Sequence, residues 1–358
     1  MSKSQLTTHE RMLRTYERRC IDRVVIADSP WQGTLRNWKE QGMPAGADWR
    51  DFFGCDKIET VAVDVSPRFK TQVIEETGQY IISKSEYGVT LKQLKTEDST
   101  PEFLDFDVKD SIQWKDAKAR MTFDKSRVDL DACKKNLEKW RADGRWVQSL
   151  FWFGFDITHS WFIGTETVLM AMMEEPEWMA DIFETMLDLN VKLHDYLWDN
   201  GVRTDSIFWY DDMGYKNTQF FSANTYCKLL KPFHKRAVEW AHNKGLRAEL
   251  HSCGDIRPFI PHLIEIGLDA LNPIEVKAGM DPLFVKKTYG DKLVIHGGFD
   301  ALLYNQPEKM LAEIERLLPE LIKGGGYIFA SDHSIPNVVT ADLFRTIVEK
   351  VKEISSGG

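Results

Sequence analysis

The spacing of apolar positions changes character part-way along this chain. From residue 145 onward, short apolar runs alternate with longer stretches in which apolar residues recur every third or fourth position. The short runs predict strands at 147–153, 206–210, 248–251, 270–273, 293–296 and 327–330. The longer stretches predict helices at 164–174, 176–200, 222–244, 256–265, 281–288, 307–322 and 340–354. Two earlier strands, 23–28 and 59–65, bring the number to eight. Strands separated by helices of this length pair in parallel. The pattern therefore predicts an α/β protein, a (β/α)8 TIM barrel, with an open doubly wound sheet as the alternative.

The N-terminal part is less regular. A helix is predicted over 7–19, opened by Thr7 with Glu10 three residues on, the spacing of a capping box. Another is predicted over 129–143, stopped by Gly144. Between 69 and about 95, period-two alternation with breaks at Thr77-Gly78 and Tyr87-Gly88 predicts antiparallel hairpins. This excursion reads as a lid, a small subdomain or a dimer contact. An irregular connection is predicted to begin at Asp98-Ser99-Thr100-Pro101. No repeat or linker interrupts the pattern, so residues 1–358 read as a single elaborated domain. Within it, 1–145 is the N-terminal part and 146–358 the regular one.

Composition narrows the function classes. A net charge of −9 and a pI of about 5.6 argue against a nucleic-acid footprint and a polybasic membrane surface. The start of the chain, Met1-Ser2-Lys3-Ser4-Gln5, leads into charged residues without an apolar leader core, which predicts a cytoplasmic protein. Cys20, Cys55, Cys133, Cys227 and Cys253 are scattered and odd in number, a reduced-compartment pattern.

The chemistry concentrates where predicted strands end. In a period-two strand His251 and Cys253 point the same way, and an imidazole beside a soft thiolate suits zinc. Taken alone, the pair more often describes a core histidine and a small buried hydrophobe. Other strands, however, run into Asp211-Asp212-Met213-Gly214-Tyr215, Asn272-Pro273-Ile274-Glu275, His296-Gly297-Gly298 and Ser331-Asp332-His333. In a barrel these ends meet at the catalytic face. Asp255 is read as the cap of the following helix, and His9, His159, His194, His234, His242 and His262 as structural or exposed.

On these residues the chain resembles the uroporphyrinogen decarboxylase superfamily, and within it the cobalamin (corrinoid)-dependent methyltransferase branch, most strongly from 206 to 354. Zinc methyltransferases of that branch carry a His-x-Cys at one strand end, matched by His251 and Cys253. A further Cys lies near their last strand, in a segment like Ala-Pro-Gly-Cys-Gly-Ile-Pro. Here that stretch is Ala330-Ser331-Asp332-His333-Ser334-Ile335-Pro336, so His333 takes the third ligand position, with Glu275 or Asp332 completing the sphere. The resemblance implies methyl transfer between a small methylated or methoxylated substrate, or a thiol, and a corrinoid on a partner protein, assisted by zinc. Asp212 and Glu275 are then acid/base or orienting groups and Tyr215 a hydrogen-bond donor. Asp211 or Asp212 would orient a ligand histidine. A homodimer is also compatible with this picture. The true decarboxylases bind a polycarboxylate through an Arg-rich segment, whereas this chain has Trp31-Gln32-Gly33-Thr34-Leu35-Arg36-Asn37-Trp38. A metal-free decarboxylase or lyase, and a non-catalytic binding barrel, are the rival readings.

Overall fold

The computed structural model describes residues 5–95 and 100–356. Eight parallel strands form the central sheet: β1 (Val25–Ile26), β2 (Ile58–Val61), β3 (Trp146–Phe151), β4 (Ser206–Tyr210), β5 (Arg247–His251), β6 (Ala270–Asn272), β7 (Val294–His296) and β8 (Tyr327–Phe329). Their order is β1-β8-β7-β6-β5-β4-β3-β2, with every neighbouring pair parallel. This is the TIM-type α/β architecture that the alternation predicted. Outward residues of the strands, among them Ile207, Trp209, Ala248, Leu250, Leu271 and Ile295, are fully buried against the surrounding helices. Inward residues include Glu249 and His251, which share a face because they lie two apart.

Among the described residues no ladder joins β1 to β2, and Asp56 bridges that seam. Its N–H donates to the Ile26 carbonyl at 2.9 Å, and its Oδ2 accepts the Ile26 N–H at 2.8 Å. The side chain thus supplies the acceptor that a neighbouring strand would. The same buried carboxylate takes Arg23 Nη1 at 2.6 Å and Arg11 Nη1.

Local chemistry explains most element boundaries. Thr7 and Glu10 form the capping box of the helix Thr8–Tyr16. The helix predicted over 222–244 is two, Ala223–Leu229 and Lys231–Asn243. Pro232 donates no N–H and its ring crowds the carbonyl four residues back, which breaks the ladder there. The helix predicted from 256 begins at Ile260, with Pro261 in its first turn. Asp255 is therefore not its cap; it accepts the Arg257 N–H and pairs with that side chain at 2.8 Å.

The excursion is a four-stranded antiparallel sheet of Gln72–Glu76, Tyr80–Lys84, Val89–Leu94 and Glu102–Phe106. Its fourth strand lies beyond the predicted hairpins. Asp98 and Ser99 of the predicted irregular connection lie outside the described residues, as do residues 1–4 of the charged N-terminal segment. The sheet packs beside the C-terminal end of β3, with Tyr87 against Trp152 at 5.3 Å and Phe103 against Trp161 at 5.2 Å between ring centres.

Candidate functional site

The strand ends enclose a cavity of about 640 Å³ that extends inward from Asp212, His251, Cys253 and His333 to Glu249, Gln148 and Thr60. Thr60 is exposed although it lies in the middle of β2, so the barrel interior is open there.

At the cavity wall, β5 presents His251 and Cys253. The Nδ1 of His251 lies 2.6 Å from Oδ1 of Asn272, which stands beside it on β6. The Asn272 amide nitrogen is turned the other way, 3.5 Å from the His296 carbonyl. An amide oxygen only accepts, so Nδ1 carries a proton and Nε2 is the nitrogen available to a metal. Nε2 faces Cys253 Sγ at 3.3 Å and Asp212 Oδ1 at 3.7 Å. One donor atom from each of Asp212, His251 and Cys253 lies within 4.8 Å of the other two.

The loop carrying Cys253 is tied at consecutive amides. Cys253 N–H donates to Asp212 Oδ1 at 2.7 Å, and Gly254 N–H donates to Glu275 Oε2. Gly254, at φ +81°, abuts the backbone of Gly214, where any Cβ would collide with main chain. The two glycines let the loops after β4 and β5 touch, which brings Asp212 to Cys253. Burial raises the Cys253 thiol well above its ordinary pKa, with Asp212 and Glu275 adding to the shift. A divalent cation reverses that balance by stabilising the thiolate.

The expected site residues divide accordingly. His251, Cys253 and Asp212 come together. His333 lines the same cavity, its ring 5.8 Å from Trp31, but its ring nitrogens are outside the three-residue cluster. The turn that bears it is pinned by its neighbours. Ser331 Oγ donates to Asp28, and both Asp332 oxygens accept backbone amides, from Val276 and Ala301. Neither Asp332 nor Glu275, which accepts the Gly254 amide and has Lys277 at 3.4 Å, belongs to the three-residue cluster. Glu275 thus holds the cysteine loop. Tyr215 is 51% exposed on the short hairpin after β4, against Phe220, and is not in the cavity wall. Tyr210 is in the wall, its ring 4.8 Å from that of His251. Asp211 turns away from His251: it binds His234 Nε2 at 2.7 Å and accepts the Asp156 N–H at 2.7 Å.

Several members were not singled out from sequence. Asn272 stood in the strand end Asn272-Pro273-Ile274-Glu275 with no role assigned to it. Glu249 has the same period-two face as His251, and that signal was available. Deeper in the barrel its Oε1 lies 2.6 Å from His296 Nδ1, while Tyr16 donates to Oε2. Burial works against charge on His296, but Glu249 and the Ala27 carbonyl outweigh it and raise its pKa. Asp156, after β3, has its pKa pushed well up by burial and then by Asp212 and Asp211.

A family model described as uroporphyrinogen decarboxylase (URO-D) matches residues 159–354, more than half of the chain and all of β4 to β8. The chain belongs to the uroporphyrinogen decarboxylase family. Among curated proteins, the uroporphyrinogen decarboxylase of Psychromonas ingrahamii is 31% identical over 77 residues, 21% of this chain. The match spans 22% of that relative's length. Among solved structures, a methyltransferase from Methanosarcina mazei shares the fold with a TM-score of 0.65 at 13% identity, over 98% of this chain and 99% of that one. A B12-independent methionine synthase from Shewanella sp. W3-18-1 superposes more loosely, with a TM-score of 0.42 at 9% identity over 86% and 83% of the two chains. Among the described residues no helix is long and apolar enough to cross a membrane.

Proposed function

We propose that this chain catalyses methyl transfer between a small methylated substrate, or a thiol, and a corrinoid carried by a partner protein, with zinc held by Asp212, His251 and Cys253. The observation that carries the reading is the convergence of a carboxylate oxygen, an imidazole nitrogen and a thiol within 4.8 Å at one cavity wall. Oxygen, nitrogen and sulfur donors of these types suit zinc, and three protein ligands leave a position for substrate, as in catalytic sites. Asn272 supplies the partner on the far nitrogen that ligand histidines generally have. When bound, zinc polarises the heteroatom that carries the methyl group or stabilises a substrate thiol as its thiolate.

The chain's own residues do the rest. Asn272 keeps the proton on His251 Nδ1. Asp212 and Glu275 hold the Cys253–Gly254 amides, which fixes the loop that carries the thiol. Trp31, Phe208 and Tyr210 cover apolar parts of the substrate and limit water at the reacting end. The methyltransferase from Methanosarcina mazei, which spans the whole chain in the same fold, supports this direction. Decarboxylation of a polycarboxylate tetrapyrrole fits less well. Such a substrate calls for several free guanidinium groups, and among the described lining residues the one arginine, Arg50, is already bound by Asp48 and Glu59.

Elemental analysis of the protein tests the proposal. Native protein is expected to carry about one zinc per chain, and Cys253→Ser and Asp212→Asn to lose most of it. Methyl transfer to free cob(I)alamin, standing in for the partner's cofactor, should disappear on zinc removal and return on adding zinc back. Equal zinc in native and variant proteins, or full turnover without zinc, would remove the reading.

A further inference from the structure

The cavity has a charge sign that methyl transfer by itself does not require. Asp28, Asp56, Asp212, Glu249 and Asp332 line it. Asp56 is balanced by Arg11 and Arg23, the first of which also serves Asp22. Arg50 is committed to Asp48 and Glu59, each at 2.7 Å. Lys277 is 3.4 Å from Glu275, and its charge also favours the ionised form of Asp332. A divalent metal would balance Asp212 and the Cys253 thiolate. Asp28 and Glu249 then share one imidazole, His296, which lies 2.6 Å from Glu249. The bonds that Asp28 receives come from neutral groups, Ser29, Ser331 and Tyr304, which orient its charge without cancelling it. Burial raises the Asp28 pKa, and the bonds from Ser331 and Ser29 and the charge of His296 offset that only in part.

Aromatic rings are the second observation. Trp31, Phe208 and Tyr210 line the same cavity; Phe208 and Tyr210 lie 4.9 Å apart, and Tyr210 is 41% exposed. Carboxylates with aromatic rings form the chemistry that recognises ammonium groups, through charge and through the quadrupole of the ring. Sulfonates, phosphates and carboxylates would meet repulsion there.

We infer that the cavity takes a substrate bearing a positively charged ammonium group, seated on Asp28 and Glu249 among Trp31, Phe208 and Tyr210, with its sulfur or oxygen at His251 and Cys253. Glu249 and His251 are two residues apart on one strand face, about 7 Å. That span sets a spacer of a few bonds between the heteroatom and the ammonium. The inference rests on the methyl-transfer reading for the heteroatom end only.

Three thiols with the same two-carbon spacer test it by calorimetry on the protein as purified: cysteamine, 2-mercaptoethanol and 2-mercaptoethanesulfonate. Cysteamine should bind about tenfold tighter than the neutral thiol, and the sulfonate weakest. Added salt should weaken cysteamine alone. Equal affinities, or a preference for the sulfonate, overturn the inference. Choline against its uncharged isostere 3,3-dimethylbutan-1-ol repeats the comparison without a metal-binding atom, and choline should again bind tighter. Choline preference without thiol binding would leave the charge selectivity standing while the methyl-transfer reading falls. Glu249→Gln should reduce the cysteamine preference. Because that change also touches His296, Tyr210→Leu serves as a second variant, expected to lower choline affinity several-fold. Unchanged preferences in both variants likewise count against the inference.

Discussion

Asn272 holds Nδ1 of His251 at 2.6 Å, and that bond decides which side of the imidazole can bind a metal. The two residues are register partners on β5 and β6, so the orientation is built into the sheet. Asn272→Ala should weaken zinc affinity about 10- to 100-fold, measured by competition with a chelator. Affinity equal to native would mean that Asn272 does not set the tautomer.

Asp56 closes the barrel where the ladder between β1 and β2 is missing. Its removal leaves Arg23 without its carboxylate and Arg11 with Asp22 alone, both guanidinium groups being nearly inaccessible. Asp56→Ala should therefore cost about 3–5 kcal/mol in urea unfolding. A loss below about 1 kcal/mol would show that the seam closes without the side chain.

Tyr215 is a negative control for the site. Exposed and outside the cavity wall, it should tolerate Tyr215→Phe with stability within about 0.5 kcal/mol of native and with unaltered zinc content and turnover. A large fall in turnover at normal zinc content would return it to the reacting end.

Acid should unfold the protein partly through His194. Burial lowers its pKa to about 4, although Nε2 lies 3.1 Å from the Leu150 carbonyl. The unfolded imidazole titrates near ~6.5, so the unfolded chain takes up the proton first. Stability is retained above pH ~6.5 and lost as pH falls toward 4, by up to about 3 kcal/mol for this group. His159, also lowered to about 4 by burial, adds a loss of the same sign. His296 acts oppositely: its raised pKa contributes stability that is present below ~6.5 and lost as pH rises through the raised value. Urea midpoints measured between pH 7.5 and 4.5 (roughly the interval these pKa values span) should fall toward acid, and His194→Gln should flatten that limb. An identical acid limb in the variant would assign it to other groups.

How much of this could be read along the chain depended on the range of the interaction. The parallel strands, the Thr7–Glu10 capping box and the polar strand ends follow from periodicity and near neighbours. The break at Leu230 was also legible in principle, because Pro232 acts locally. The fourth antiparallel strand, Glu102–Phe106, was not anticipated because its place depends on pairing with Val89–Leu94. Of the expected site residues, His251, Cys253 and Asp212 stand together, and His333, Glu275 and Tyr215 lie outside that cluster. His251 and Cys253 share a strand face, a local property, but their third companion is chosen by which loop can come close.

The sequence by itself determined the architecture and the level at which the chemistry sits. Hydrophobic periodicity specifies which elements form, and in a parallel barrel the strand ends meet at one face. Only the tertiary structure decided that Asp212 stands with His251 and Cys253 while His333 lines the cavity outside that cluster. Gly214 and Gly254 admit a backbone contact that no side chain would allow, and Asp28 fastens the Ser331 turn elsewhere. Those contacts join residues far apart in the chain, so neither spacing nor composition encodes them, and together they set the members and the charge of the cavity.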